Sequence, residues 1–231
     1  VHNYYQQSGG EDTVVKNEFE YLVSKGHKVV QFNKTNESIK GLRLKLELLF
    51  NTHYSDKSYK EFLEMLKKEN PDIVHVHNFF PLFTPSIFDV CNKLKIPIVL
   101  TLHNFRIFHP NGLLLFNGKT DLRGLVGSAY KCIPDKVYRN SYIQTAVVAH
   151  MIEYHKKRNT WNTKIDKIIP LSQTSKEIFL KGGIKENKMV VKPNFTKDVY
   201  DQIPVSADLK KRGYILYVGR ISEEKGIKQL L

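Results

Sequence analysis

The chain has 231 residues, with 36 Lys+Arg against 23 Asp+Glu, 9 His and 2 Cys, for a formal charge of +13 with histidine neutral. A hydrophobic fraction of 41% excludes a disordered chain, no apolar run approaches the roughly 18 to 20 residues that span a bilayer, and the first residues lack the charged and apolar segments of a signal peptide. Cys91 and Cys132 are too few and too far apart for a disulfide framework or a four-cysteine zinc module, so a reducing compartment, the cytoplasm, is expected.

The opening VHNYY has no initiator methionine and reads as the end of a strand that begins upstream, which makes a fragment the expectation. After a polar QQSGGE loop, residues 12–25 place Val15, Phe19, Leu22 and Val23 on one helical face, and Gly26 is a natural stop after Lys25. A strand is expected at 28–32, a basic amphipathic helix at 39–50 and a second amphipathic helix at 58–69, closed by Pro71. DIVHVHN at 72–78 is a short apolar strand, and a helix follows at 85–94. IPIVLTLHN at 96–104 is apolar on both faces, as a strand covered by helices must be. Strands alternating with helices at this spacing predict a parallel, doubly wound sheet.

Residues 105–140 break that rhythm with PNG, NGK and several glycines, and a loop this long inside a compact domain is usually functional. Helix (141–157), strand (167–171), helix (175–181) and a brief strand (189–192) then resume the pattern. Residues 193–213 are polar, hold Pro193, Pro204 and the run LKKR, and read as a linker. YILYVGR beyond it is a fresh apolar strand, and SEEKGIKQLL opens a helix, so the start of a second domain is expected.

Three of the expected strands end in the same dipeptide: His2-Asn3, His77-Asn78 and His103-Asn104. Ligands of open parallel sheets bind beyond the carboxyl ends of strands, so these side chains are placed to meet substrate; equally, each Asn can start a turn and each His satisfy a local hydrogen bond. His75 and His77 share a strand face, but no carboxylate or third close ligand accompanies them in the sequence, so no metal is expected. Gly9-Gly10 lies between a strand end and a helix start, where bare backbone and helix N–H groups can approach an anion or simply turn. Glu11 and Asp12 would occupy that helix start, where negative charge suits the dipole. No GxGxxG follows a strand and no GxxxxGKS or GxxxxGKT occurs, which argues against a dinucleotide oxidoreductase and a P-loop NTPase. Arg220 follows the last strand directly and Lys225 stands across a Ser-Glu-Glu turn from it. Two cations at a strand-to-helix crossover suit a diphosphate, although a solvated Lys/Arg/Glu loop has the same composition.

Taken in order, YYQQSGGED, NPDIVHVHN, IPIVLTLHN, IPLSQTSKEIF, VVKPNF and YILYVGRISEEKG resemble the retaining nucleotide-sugar glycosyltransferases of family 4, with the two-domain GT-B fold. The resemblance runs along essentially the whole chain. It implies an α/β architecture with a Rossmann-like doubly wound parallel sheet: an acceptor-side domain at 1–195 with a truncated first strand, a linker at 196–213 and the start of a donor-binding domain at 214–231. It also implies that Gly9 and Gly10 approach the donor diphosphate, that His103 is the active-site histidine contacting the transferred sugar, and that Arg220 and Lys225 neutralise the leaving diphosphate. His77, Asn78 and Asn104 would line the acceptor side of the cleft. The donor is a nucleotide-diphosphate sugar, and neither cofactor nor metal is called for.

Two departures accompany the resemblance. The glutamate-bearing motif that holds the donor sugar and ribose is expected beyond residue 231, so this chain alone should not complete a donor site. Relatives carry cysteines near the positions of His109 and downstream, whereas only Cys132 stands there in this chain, which argues against a metal-stapled loop.

The positive surplus admits anionic lipid, nucleic acid or phosphorylated small molecules as partners. Residues 150–192 hold 10 Lys+Arg and 4 Asp+Glu, and with the basic helix at 39–50 they could rest on an anionic membrane beside a lipid-linked acceptor. The expected function is thus retaining transfer of a sugar to a glycan or lipid-linked acceptor in cell-surface polysaccharide synthesis, in the cytoplasm with peripheral contact at the inner face of the membrane. The rivals are another GT-B enzyme, such as a nucleotide-sugar epimerase or a phosphorylase, and a non-enzymatic module binding anionic membrane or nucleic acid. No helix-turn-helix, zinc finger or aromatic-basic RNA motif supports the nucleic-acid reading.

Overall fold

The computed structural model describes residues 1–4, 9–36, 41–196, 213, 215–219, 221–222 and 225–227. Two sets of parallel strands carry the architecture. β1 (His2–Tyr4) pairs with β2 (Asn33–Thr35), and β3 (Val74–Val76), β4 (Ile98–Leu102) and β7 (Lys167–Pro170) form a three-stranded set in that order. Main-chain hydrogen bonds join the sets: Val1 N donates to His75 O (2.8 Å), His77 N to Val1 O (3.0 Å) and Asn3 N to Asn78 O (3.1 Å). The spatial order is therefore β2-β1-β3-β4-β7, and the direction of winding reverses between β1 and β3. Val190 N and Lys192 N donate to Ile168 O and Pro170 O at 3.0 and 3.1 Å, so the segment expected as a strand at 189–192 runs beside β7 as its edge.

Helices link the strands as the parallel arrangement requires: α1 (Gly10–Ser24), α2 (Leu42–Asn51), α3 (Asp56–Glu69), α4 (Ser86–Leu94), α6 (Tyr142–Lys157) with the short α7 (Thr160–Thr163), and α8 (Gln173–Lys181). Short polar side chains start three of them. Ser55, Ser141 and Ser172 each accept a hydrogen bond at Oγ from the backbone N–H three residues on, satisfying one of the helix's orphan donors. Gly26, with φ of +84°, ends α1 where the sequence placed the stop. The core gathers Phe62, Phe83, Phe88, Leu100, Ile152 and Phe179 on the central strands, all essentially inaccessible. Leu100 and Thr101 point to opposite faces of β4 and both are buried, the signature of a strand covered on both sides.

Three expectations need correction. The second strand lies at Asn33–Thr35 rather than 28–32, because the fifteen-residue α1 rises about 22 Å and the chain needs residues 27–32 to return before it can pair with β1. The inward face of α1 is Asp12, Val14, Val15 and Glu18, while Val23 is 47% exposed, so the helix is rotated toward two carboxylates that the apolar pattern placed outside. Residues 215–219 are not a strand, because no described strand stands beside them, and Ile215, Leu216 and Val218 are exposed there. Residues 5–8 of the first loop, the expected helix start at 39–40, residues 197–212 of the expected linker, and Tyr214 and Arg220 lie outside the described residues.

The long segment 105–140 is ordered by its own chemistry. β5 (Leu115–Phe116) and β6 (Lys119–Thr120) form a hairpin whose two-residue turn, Asn117-Gly118, takes positive φ at both positions, as the turn that matches strand twist demands. α5 (Arg123–Val126) follows, then a 3-10 turn at Ala129–Cys132. Gly124 is dictated by contact: a Cβ there would stand 2.0 Å from Phe108 O.

Candidate active site

The reversal between β1 and β3 opens a crevice at the carboxyl ends of the strands, where doubly wound folds bind ligands. Two of the four histidines at this end lie on strands whose register the ladder fixes, His2 on β1 and His75 on β3, while His77 follows β3 directly and His103 follows β4. His77 Nδ1 lies 3.1 Å from His103 Nε2, with the rings only 26° from parallel, and His75 packs against His77 with 4.1 Å between centroids. His2 approaches His77 edge-on.

Burial decides the charge of this cluster. It lowers His75 to about 3 and His103 to about 4, and it pushes His77 well below the ordinary imidazole range, with neighbouring positive charges adding to the effect. His2 is lowered for the same reason, against the pull of Asp12. All four rings are therefore neutral at pH 7, each with one N–H and one lone pair.

The carboxylates come from α1. Asp12 accepts at Oδ2 from Gly9 N (2.9 Å), and its Oδ1 lies 2.8 Å from His2 Nε2, which ties the helix tip to β1. Glu18 reaches down from two turns further on. Its Oε2 lies 3.4 Å from His77 Nε2 and 3.6 Å from His75 Nδ1, and its Oε1 is paired with Lys192 Nζ. The sequence showed no carboxylate beside His75 and His77; the structure supplies one from α1. Glu18 and Lys192 escaped notice because their proximity depends on the rotation of α1 and on the edge segment after β7. The readable signal was a glutamate three residues after Val15, on the side of the helix that packs inward.

The asparagines of the strand ends work differently. Asn78 donates from Nδ2 to Asn3 O (2.9 Å) and accepts at Oδ1 from Phe80 N (2.9 Å); Asn3 donates to Asn36 Oδ1 (2.9 Å) and accepts from Leu82 N (3.3 Å). Both amides clasp the main chain across the crevice. Asn104 accepts from Arg106 N at 3.0 Å, the turn expected of it. His77, Asn78, His103, Asn104 and Arg106 nevertheless line one pocket of about 20 Å³. That volume admits about one water, so a sugar would have to lie over its mouth.

Gly9 and Gly10 stand at the start of α1, and among the described residues nothing lies within 4 Å of where a Cβ would stand at either, which leaves space above the helix tip. Lys225 is exposed, its N–H bonded to Ser222 O at 3.0 Å, and no described contact brings it to the strand ends.

Two groups of side chains could hold a metal among the described residues: Glu18, His75 and His77, and His109, Asp121 and Cys132. Each carboxylate is also paired with a cation, Lys192 in the first group and Arg123 in the second. In the second, His109 Nε2 meets Asp121 Oδ2 at 3.0 Å and Cys132 Sγ at 3.6 Å, while burial raises the Cys132 thiol to about 11 and keeps it protonated. It staples the 105–140 segment.

The model of Glycosyltransferase Family 4 matches residues 8–197 of this chain. The chain belongs to glycosyltransferase family 4. A comparison with curated proteins found no match. As a family 4 chain it is a glycosyltransferase acting on a sugar donor and an acceptor, and its parallel α/β architecture is the Rossmann-like one that the sequence predicted. The match covers α1 with its glycine pair and the strand ends that carry His77 and His103. No described helix is long and apolar enough to cross a membrane.

Proposed function

We propose that the chain is the acceptor-side part of a retaining glycosyltransferase that moves a sugar from a nucleotide-diphosphate sugar to a glycan or lipid-linked acceptor in cell-surface polysaccharide synthesis. One observation carries the reading: in a chain of family 4, neutral His77 and His103 converge at the carboxyl ends of adjacent parallel strands, beside the winding reversal and the open tip of α1. On this reading residues 1–195 form the acceptor-side domain, 196–213 the linker, and 214–231 belong to the donor-binding domain.

The division of labour follows from charge. Retaining transfer passes through an oxocarbenium-like centre while negative charge grows on the leaving phosphate, which itself helps to deprotonate the acceptor hydroxyl. Preorganised dipoles and cations aimed at that phosphate supply the main stabilisation. The Gly9-Gly10 helix tip, with its N–H dipoles, takes the diphosphate together with Arg220 and Lys225. His103, a neutral imidazole, meets the transferred sugar, and His77, Asn78 and Asn104 line the cleft beneath it. Peripheral contact with anionic lipid belongs to the same reading, supported by the 10 Lys+Arg against 4 Asp+Glu of residues 150–192.

The deciding experiment incubates the enzyme with a panel of nucleotide-diphosphate sugars, with and without glycan and lipid-linked acceptors, and analyses products by mass and by the anomeric configuration of the new bond. Acceptor-dependent transfer with retained configuration is expected. Inverted configuration removes the retaining mechanism, and an isomerised donor formed without acceptor replaces the transferase reading with an epimerase one.

A further inference from the structure

Glu18 has no part in the chemistry above, yet it is a buried carboxylate, 7% exposed, aimed at the histidine cluster from a helix that the apolar pattern alone would have filled with aliphatic side chains. With its partners it forms a chain of four residues from four parts of the fold: Lys192 on the edge segment, Glu18 on α1, His77 after β3 and His103 after β4.

The polarity along that chain, an electrostatic contact of 3.4 Å between Glu18 and His77 Nε2 and a hydrogen bond of 3.1 Å between His77 and His103, has one consistent solution. Glu18, ion-paired to Lys192, presents acceptor lone pairs only, so the nitrogen of His77 that faces it, Nε2, carries the proton. His77 is neutral, so its Nδ1 is then a bare lone pair. His103 Nε2, 3.1 Å away, must donate to it, which leaves His103 Nδ1 unprotonated. The opposite arrangement would set the His77 Nε2 lone pair against the carboxylate, two acceptors facing each other in a buried site. His75 shares Glu18 Oε2 but does not alter this result, because its other nitrogen meets Thr101 Oγ1 at 2.8 Å, a hydroxyl that can give or accept. The remaining charged or titratable groups around His103 are His2 and Asp12, which are engaged with each other.

We infer that Glu18 is a positioning residue: acting through His77, it fixes His103 as the Nε2–H tautomer, so that the ring offers a hydrogen-bond acceptor, Nδ1, to a hydroxyl-bearing ligand. The inference deepens the sugar-transfer reading of His103 and rests on it for its functional meaning, whereas the tautomer itself rests on the contact geometry and the neutrality of the buried rings. The specificity that follows is chemical: an acceptor nitrogen favours a sugar hydroxyl at that place and rejects an analogue in which the hydroxyl is replaced by hydrogen.

The test is nitrogen-15 NMR of the histidine rings in this chain at neutral pH, where long-range proton–nitrogen correlations tell a protonated ring nitrogen from a bare one, with His77→Gln and His103→Ala providing assignments. The expected result is Nε2–H for both His77 and His103. In Glu18→Gln, whose amide can turn either its oxygen or its NH₂ toward His77, the single tautomer of His103 should give way to a mixture, and Glu18→Ala should do the same. His155 is the internal control for folding, since its Nε2 faces the His53 carbonyl oxygen at 2.7 Å and is held as Nε2–H independently of Glu18. A His103 Nδ1–H tautomer in the unmodified chain overturns the inference, as does an unchanged His103 tautomer in Glu18→Gln with native His155 signals. No sugar enters this measurement, so an error in the transferase reading would leave its result intact and would show instead in the product analysis.

Discussion

Arg123 grips Asp121 with two parallel hydrogen bonds, Nε to Oδ1 at 2.9 Å and a terminal nitrogen to Oδ2 at 2.7 Å. The guanidinium holds the Asp121 carboxyl far below the usual carboxylate range, with the His109 hydrogen bond assisting, and Arg123 also pairs with Asp135. One arginine thereby joins the hairpin, α5 and the 3-10 turn.

Asp121→Asn should loosen the 105–140 segment. Breaking a buried pair costs about 3–5 kcal/mol, and because Arg123 is one-third exposed the loss should fall nearer 2 kcal/mol. Urea denaturation would measure it, and faster amide exchange confined to this segment would locate it.

His103→Ala in the active enzyme should lower turnover about a hundredfold or more, the cost of losing one preorganised polar group at the reacting centre. Donor binding, measured by calorimetry with the nucleotide-diphosphate sugar that supports transfer, should change little. Turnover equal to that of the unmodified enzyme would remove His103 from the site.

Arg220→Ala should show the opposite split. A charge-assisted hydrogen bond contributes about 1.5–3 kcal/mol, so nucleoside diphosphate affinity should fall about ten- to a hundredfold. Titration calorimetry with the nucleoside diphosphate alone reads this directly, and unaltered affinity would place the diphosphate elsewhere.

His155 makes the fold sensitive to acid. Burial lowers it to about 4, so between the unfolded histidine value near 6.5 and 4 the unfolded chain binds a proton that the folded chain does not. Its contribution to stability is complete above about pH 6.5 and is lost as pH falls through that window, with a slope of about 1.4 kcal/mol per pH unit. The slope of unfolding free energy against pH in that window should flatten by this amount in His155→Gln. An identical slope in the variant would show that His155 is not buried neutral.

Gly124→Ala should destabilise the chain by about 1–3 kcal/mol or more, because the new methyl meets a main-chain oxygen rather than a side chain that could swing away. Thermal unfolding would show it. Gly10→Ala, with open space at its Cβ position, should be much milder.

The parallel architecture was legible because apolar runs such as IPIVLTL carry their own evidence of burial on both faces, and the histidine-asparagine pairs were legible because they sit at strand ends. Their different duties were not. Asn3 and Asn78 look the same in sequence as Asn104, yet the first two fasten main chain across neighbouring strands while Asn104 holds only its own turn. Glu18 was hidden for a related reason: helical periodicity assigns a charged residue to solvent, and only the packing angle of α1, set by long-range contacts, turns it inward. The misplaced second strand shows the same limit, since Val29 and Val30 have strand propensity but the length of α1 decides where pairing begins.

The tip and the middle of α1 carry Gly9-Gly10 and Glu18 on one stiff rod, with about 12 Å between Gly10 and Glu18. Asp12 pins that rod to β1 and Lys192 pins it to the far edge of the sheet. A push on the glycine end along the helix axis is therefore a push on the carboxylate that faces His77. The helix works as a gauge, holding the distance between its glycine tip and the histidine pair at its flank.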